Sequence, residues 1–270
     1  MCAELDEEVL AFRTRTLDEE VPYLWLDAVY EKARESGRVR SKALVIATGV
    51  TVEGRRTVLG VDAGDAESYA FWRDFLRSLV KRGLRCVQLV ISDAHEGLKR
   101  AIAETISEAT WQRYRVHAMR SLLTHVPESR QPMVLAAVKA IFVRTSQADA
   151  REALDEVAKL LDSKCRKASE LLRAMAEDVL AYMAFPQEHW RQIHSTNPLE
   201  RLNREIRHRT RVVGINPEHG EPAAPRDDAA RRAGRRMAGE PRRPTSASAR
   251  WPSSSSVLPP PDLLKEVATG

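Results

Sequence analysis

The chain predicts an α/β fold, a mixed sheet flanked by helices that gives way to an all-helical segment. Three observations predict it. Apolar runs of strand length at about 23–32, 41–52 and 56–62 are joined by short turns, the pattern of an antiparallel meander. A fourth run, Val87-Gln88-Leu89-Val90-Ile91, follows only after a full helical pattern, so it returns in parallel through a right-handed crossover. From about 120 to 190 the apolar period becomes 3.6 throughout, as in Leu154/Val157/Leu160/Leu161.

Each element has its own grounds. Residues 1–20 read as a short amphipathic helix with Leu5, Val9, Leu10 and Phe12 as its apolar positions. The first strand contains Tyr23-Leu24-Trp25-Leu26-Asp27-Ala28-Val29-Tyr30, a run too continuous for a strand with one solvated face. Ala43-Leu44-Val45-Ile46-Ala47 forms the second strand and Val58-Leu59-Gly60-Val61 the third, with Glu53-Gly54 as the hairpin turn between them. A helix over about 67–82 presents Tyr69, Phe71, Trp72, Phe75, Leu76 and Leu79, and Gly83 stops it. Cys86 then opens the fourth strand as a small core hydrophobe. A helix begins near Glu96, residues 113–117 suggest one more short strand, and a helix at 119–125 leads into the helical segment. The order βββαβαβ places strand one in the middle of the sheet with the Asp93 strand beside it. A last helix starts near Asn197-Pro198 and runs to about Thr210.

Past about residue 215 the composition changes. Nine of the 14 prolines lie at or beyond Pro217, and Ser253-Ser254-Ser255-Ser256 and Pro259-Pro260-Pro261 are low complexity. Such sequence cannot offset its ordering entropy, so 216–270 is predicted to be disordered. The expected domains are therefore an N-terminal helix (1–20), the first part of the core (21–119), a helical insertion (120–190), a final core helix (191–215) and the tail.

Charge and cysteine set broad bounds. The balance of 43 Lys+Arg against 38 Asp+Glu leaves +5, too mild to name a partner. The basic residues nevertheless cluster: Arg201, Arg204, Arg207, Arg209 and Arg211 share one short stretch with His208. Cys2, Cys86 and Cys165 have neither metal-ligand spacing nor a disulfide framework, which points to a reducing, cytoplasmic setting. The acidic N-terminus lacks a signal-peptide core, and no apolar run is long enough to span a bilayer.

Two acids stand out by position. Asp93 lies where the fourth strand ends and a helix begins, the edge of an α/β sheet where ligands collect. Asp27 lies in or at the end of an apolar strand, where an ionised carboxylate is costly unless something cationic compensates it. A third, Glu200, shares a helical stripe with Asn197, Asn203 and Arg204. Three such acids suffice for a pair of Mg²⁺ ions, with Mn²⁺ able to substitute, and neighbouring arginines would hold phosphates. Taken singly, each has a plainer reading. An Asp before a helix is commonly an N-cap, a Glu in an Arg-rich helix is commonly part of a solvated face, and His95 and His117 fit structural roles.

Three longer motifs occur in order. They are Pro22-Tyr23-Leu24-Trp25-Leu26-Asp27-Ala28, then Leu89-Val90-Ile91-Ser92-Asp93-Ala94-His95-Glu96-Gly97-Leu98, then residues 195–210 followed by Val212-Val213-Gly214-Ile215. Together, over about 20–216, they resemble the bacterial branch of the Mutator-type transposases. The resemblance implies an RNase H-like core, an acid triad binding two Mg²⁺, and a helical insertion between the second Asp and the Glu. Motif by motif it places Asp27, Asp93 and Glu200 as catalytic and metal-binding residues, with Glu205 as rival for the third place. Glu200 is preferred because it lies inside the Asn-x-x-Glu-x-x-Asn frame. Double-stranded DNA is the implied partner, at element ends and at the target, contacted by Arg201, Arg204, Arg207, Asn197, Asn203 and His117. A homo-oligomer at the bacterial nucleoid is also implied.

The chain departs from the family pattern in three places. Tyr114-Arg115-Val116-His117 stands where the family has Cys-x-x-His, so the Cys is replaced while His117 remains. The chain begins almost at the core, where family members carry a longer end-recognition region. After Ile215 the Arg/Pro/Ala/Ser-rich tail reads like a GC-rich gene translated out of frame. The expectation is a transposase catalysing strand cleavage and 3′-OH strand transfer, in a copy shortened at one end and frameshifted at the other. The alternatives are an inert DNA-binding remnant and an RNase H-like nuclease that cleaves without joining.

Overall fold

A computed structural model describes residues 10–35, 38–64, 67–194, 200, 203 and 204. The expected tail 216–270 and most of the final helix over 191–215 lie outside them. Five strands form one sheet in the spatial order β3-β2-β1-β4-β5. β1 (Tyr23–Glu35) pairs antiparallel with β2 (Arg38–Val50), and β2 pairs antiparallel with β3 (Arg56–Gly64). After helix α1 (Tyr69–Lys81), β4 (Leu89–Ser92) returns parallel to β1; after α2 (Glu96–Thr105), β5 (Thr110–Arg113) joins parallel to β4. This is the predicted order, with β1 central and the Asp93 strand at its side.

β1 reads as an unbroken apolar run because both of its faces are covered. Leu24 and Leu26 belong to a buried cluster with Val45, Leu59, Trp72, Phe75, Leu76 and Leu79, under α1 and α2. Tyr23 and Trp25 alternate to the opposite face, where they join Leu89, Ile91, Tyr114 and the helical insertion. The hairpin and the first helix close as their residues require. Gly54 has φ +80 in the β2–β3 turn, with Thr51 N–H donating to the Arg55 carbonyl at 2.9 Å. Gly83 has φ +108 just beyond α1; its own N–H and that of Leu84 reach back to Val80 O and Leu79 O, the paired bonds of a Schellman cap. A Cβ there would come within 2.7 Å of the Leu17 carbonyl oxygen.

The helical segment after β5 holds α3 (Arg115–Leu123), α4 (Gln131–Ile141), α5 (Gln147–Asp162), α6 (Arg166–Ala174), α7 (Ala176–Leu180) and α8 (Gln187–Ile193). Val134, Val138, Ile141, Leu154, Leu161, Leu172 and Leu180 continue the same cluster that contains Trp25 and Ile91. The helices therefore thicken the sheet's core instead of enclosing a second one. Among the described residues no helix is long and apolar enough to cross a membrane.

Three expectations need correcting. The strand foreseen at 113–117 lies instead at Thr110–Arg113, and α3 begins at Arg115. Alternating polar and apolar residues over 113–117 imitate a strand, but the Tyr114 N–H closes the ladder on the Ser92 carbonyl (2.9 Å) and its own carbonyl starts a helix with Ala118. His117 is consequently a helical residue. Cys86 is not a core hydrophobe; it is exposed and left-handed (φ 60), part of the irregular stretch before β4. Of the helix expected over 1–20, the described part is helical at 10–14 and irregular from 15 to 22.

Candidate active site

The parallel register of β1 and β4 brings the two aspartates together. Tyr23 lies opposite Leu89, Leu24 opposite Val90 and Trp25 opposite Ile91; the ladder ends there, and the same register carried two residues further would bring Asp27 level with Asp93. Alternation along β1 puts Asp27 on the face of Trp25, and Asp93 follows directly on the last residue of β4. Tyr114 fixes that level from both sides. Its N–H holds Ser92 O, the residue before Asp93, while its phenol donates to Leu26 O, the residue before Asp27, at 3.1 Å.

The two carboxyl groups occupy opposite electrostatic settings. Burial pushes the Asp27 pKa up, against the partly compensating Asn203 amide and Ala28 N–H (3.0 Å to Oδ1). Asn203 Nδ2 donates to Asp27 Oδ2, an anchor 176 residues away in sequence. Asp93 is about half exposed, and its pKa is held below the usual range, first by His117 and then by the Ala94 N–H at 2.8 Å and Arg113. His117 Nδ1 lies 3.1 Å from Asp93 Oδ2, an ion-pair contact short of a well-aligned hydrogen bond. Asp93 in turn raises the His117 pKa. Burial, followed by the field of Asp27, pushes the Tyr114 phenol far above its ordinary value, so it remains a donor.

The fold gathers Asp27, Asp93, His117 and Asn203 in one place. Glu200 is exposed, in a helical position three residues before Asn203, and Arg204 is exposed beside it. Asn197, Arg201, Arg207 and the rival Glu205 lie outside the described residues. Asp93 does not cap α2; His95 does, accepting from Leu98 N–H at 3.3 Å. Sequence reasoning missed Tyr114 as the strand clamp, because its role depends on two carbonyls contributed by different strands. Arg56 was missed as well. Its guanidinium carbon lies 4.4 Å from the Trp25 ring centroid on this same face, and nothing in its sequence neighbourhood signals that.

A divalent cation fits these residues. Paired carboxylates supply the hard oxygens that Mg²⁺ or Mn²⁺ takes, with water filling other positions. A cation beside Asp27 would also offset the desolvation that raises its pKa. Among the described residues no three His, Cys, Asp or Glu side chains close into a cage; Mg²⁺ commonly needs only one or two carboxylates.

Comparison with known proteins points one way. The family model described as "Transposase, Mutator family" matches residues 1–224. The transposase for insertion sequence element IS1081 of Mycobacterium tuberculosis is 46% identical over 220 residues, covering 81% of this chain and 53% of that protein. The ISRM5 transposase of Rhizobium meliloti is 41% identical over 213 residues, covering 79% of this chain and 54% of that one. The IS256 transposase of transposon Tn4001 in Staphylococcus aureus is 38% identical over 217 residues, covering 79% and 55%. The chain thus spans about half the length of the curated relatives it matches. A chain of a simian T-cell lymphotropic virus intasome in complex with the PP2A regulatory subunit B56 gamma overlaps 65% of this chain and 63% of its own. Its 8% identity and TM-score of 0.24 are too low to carry an argument.

Proposed function

The chain belongs to the Mutator family of transposases, and from that premise we propose that residues 21–215 form an RNase H-like core for DNA strand cleavage and 3′-OH strand transfer. The observation that carries this reading is the placement of Asp27, within β1, near Asp93, which directly follows the adjacent parallel strand β4, with Asn203 on one carboxylate and His117 on the other. Family membership implies a divalent metal. We assign Mg²⁺, with Mn²⁺ as substitute, to Asp27 and Asp93, and Glu200 as the third ligand. The ion would supply Lewis-acid activation of the attacking oxygen and stabilise charge on the leaving one.

The chain's own residues provide order around that chemistry. Tyr114 ties the end of β4 to the interior of β1, Asn203 orients Asp27, and His117 orients Asp93. His117 enters as a positioning residue in place of the DNA contact expected from sequence. Glu200 lies three residues before Asn203, the spacing that shares a helical face, and Asn203 reaches Asp27; on that ground Glu200 is assigned beside Asp27. Arg201, Arg204 and Arg207, with Asn197, would hold the phosphate backbone. The substrate is double-stranded DNA at element ends and target, handled by a homo-oligomer.

Purified protein incubated with pre-cut DNA ends from its own flanking sequence, Mn²⁺ and a plasmid target tests this. Joined products should form, and Asp93→Asn should cut their yield by more than roughly 100-fold, beyond the loss typical of an outer-shell partner. Cleavage without joining would move the chain to the nuclease reading. No reaction from folded wild-type protein would favour the inert remnant.

A further inference from the structure

Asp93 is held by a chain of hydrogen bonds that begins on another strand. The Trp111 indole N–H, on β5, donates to Ser92 Oγ at 2.8 Å. Ser92, the last residue of β4, is fully buried, and its hydroxyl donates onward to the Asp93 carbonyl at 2.9 Å. The direction of the chain is fixed. An indole nitrogen can only donate, so Ser92 Oγ must accept from it, and its own proton is left for Asp93. Lys99 on α2 sits over the Trp111 ring, 4.2 Å from its centroid, and 3.6 Å from the Asp178 carboxylate, which holds the ring in place.

The peptide unit that receives this bond is the one that sets the Asp93 side chain. The ladder between β4 and β5 ends at Ser92 opposite Arg113, so the Asp93 carbonyl lies beyond strand pairing. A carbonyl and the N–H that follows it belong to one rigid plane. The N–H of this plane is that of Ala94, and it donates to Asp93 Oδ1 at 2.8 Å. Holding the carbonyl therefore aims the N–H. The N–H in turn holds one carboxylate oxygen, while Oδ2 faces His117. Alone, the Ser92 hydroxyl could turn among acceptors; the indole removes that freedom.

We propose that Trp111 and Ser92 are positioning residues for Asp93. Through the 93–94 peptide plane they preset the carboxylate in the orientation that receives the divalent cation, so the acid need not be ordered when the cation arrives. Neither residue touches the cation. The cation rests on the transposase reading; the preset carboxylate does not.

Mn²⁺ titrated into wild type, Trp111→Phe, Ser92→Ala and the double variant, with Asp93→Asn as control, tests this together with the Ala94 amide resonance of the metal-free proteins. Each single variant should bind the Asp93-dependent Mn²⁺ about 10–100-fold more weakly, the loss typical of an outer-shell partner. The double variant should bind no more weakly than Ser92→Ala, because Trp111 acts only through the Ser92 hydroxyl. The Ala94 amide proton should move upfield in both single variants as its bond to Oδ1 loosens. A merely structural pair would lower the melting temperature and leave both readouts where they were. An Ala94 resonance that stays put overturns the proposal, as do additive losses in the double variant or an unchanged Mn²⁺ affinity per folded molecule. If wild type shows no Asp93-dependent Mn²⁺ binding, the metal reading fails and the amide alone decides: an upfield move in both single variants upholds the preset carboxylate, and an unmoved resonance ends the idea. Should Ser92→Ala not fold, Trp111→Phe carries the same two readouts.

Discussion

The two faces of the sheet differ in what they leave unsatisfied. Beneath α1 and α2 the layer is apolar, with Leu24, Leu26, Trp72, Phe75, Leu76 and Leu79 closely packed and the Trp72 indole N–H as an exception. The insertion face is equally buried at Trp25 and Ile91, yet it carries Asp27, the Arg56 guanidinium and unpartnered polar atoms on Trp25, Thr48, Gln112 and Tyr182. Since buried polar groups are normally satisfied, their excess makes this face the less stabilising of the two. One side of β1 is dry packing, and the other carries the polar groups of the candidate site.

Substitutions on each side should separate those roles. The largest effect belongs to the dry face. Trp72→Ala removes a fully buried side chain from the α1 layer and should cost about 3–5 kcal/mol in denaturant unfolding. The molecules that remain folded should join DNA normally, and lost joining per folded molecule would dissolve the division between faces. Next comes Tyr114→Phe, which leaves the Leu26 carbonyl without its phenolic donor and should cost about 1–3 kcal/mol. Here joining should fall by more than the stability loss explains, because the tie between the end of β4 and the residue before Asp27 is lost. Equal losses would make Tyr114 merely structural.

The smallest effect is a pH dependence. Burial, then Arg115, pushes the His194 pKa down to about 4. The unfolded chain takes up this proton near pH 6.5 and the folded one does not, so stability falls as pH drops from about 6.5 toward 4. His194→Gln should flatten that part of a melting-temperature profile. A profile unchanged in this window would mean that His194 is not protected as the fold implies.

Much of this was legible in the sequence, for identifiable reasons. The strand order followed from run lengths and turns, since a meander and a right-handed crossover leave few arrangements. Asp27 and Asp93 stood out because an acid within an apolar run, or directly after one, is conspicuous. The β5–α3 boundary was missed because Arg113-Tyr114-Arg115-Val116-His117 alternates like a strand, while the decision to turn is made by a hydrogen bond to Ser92. Cys86 looked apolar by composition, but its backbone conformation is left-handed. The Asn203–Asp27 bond and the reach of Arg56 over Trp25 depend on tertiary register, which no local pattern encodes.

The long separation between Asp27 and Asn203 also has a consequence in time. A ribosome reading from the N-terminus delivers both aspartates, and the strands that hold them, well before it reaches the residue that anchors Asp27. At about 5–20 residues per second, the gap between Asp93 and Asn203 is on the order of ten seconds. Throughout that interval a nascent chain can own a formed sheet while Asp27 still lacks its amide partner, so synthesis itself sets the earliest moment at which the candidate site can close.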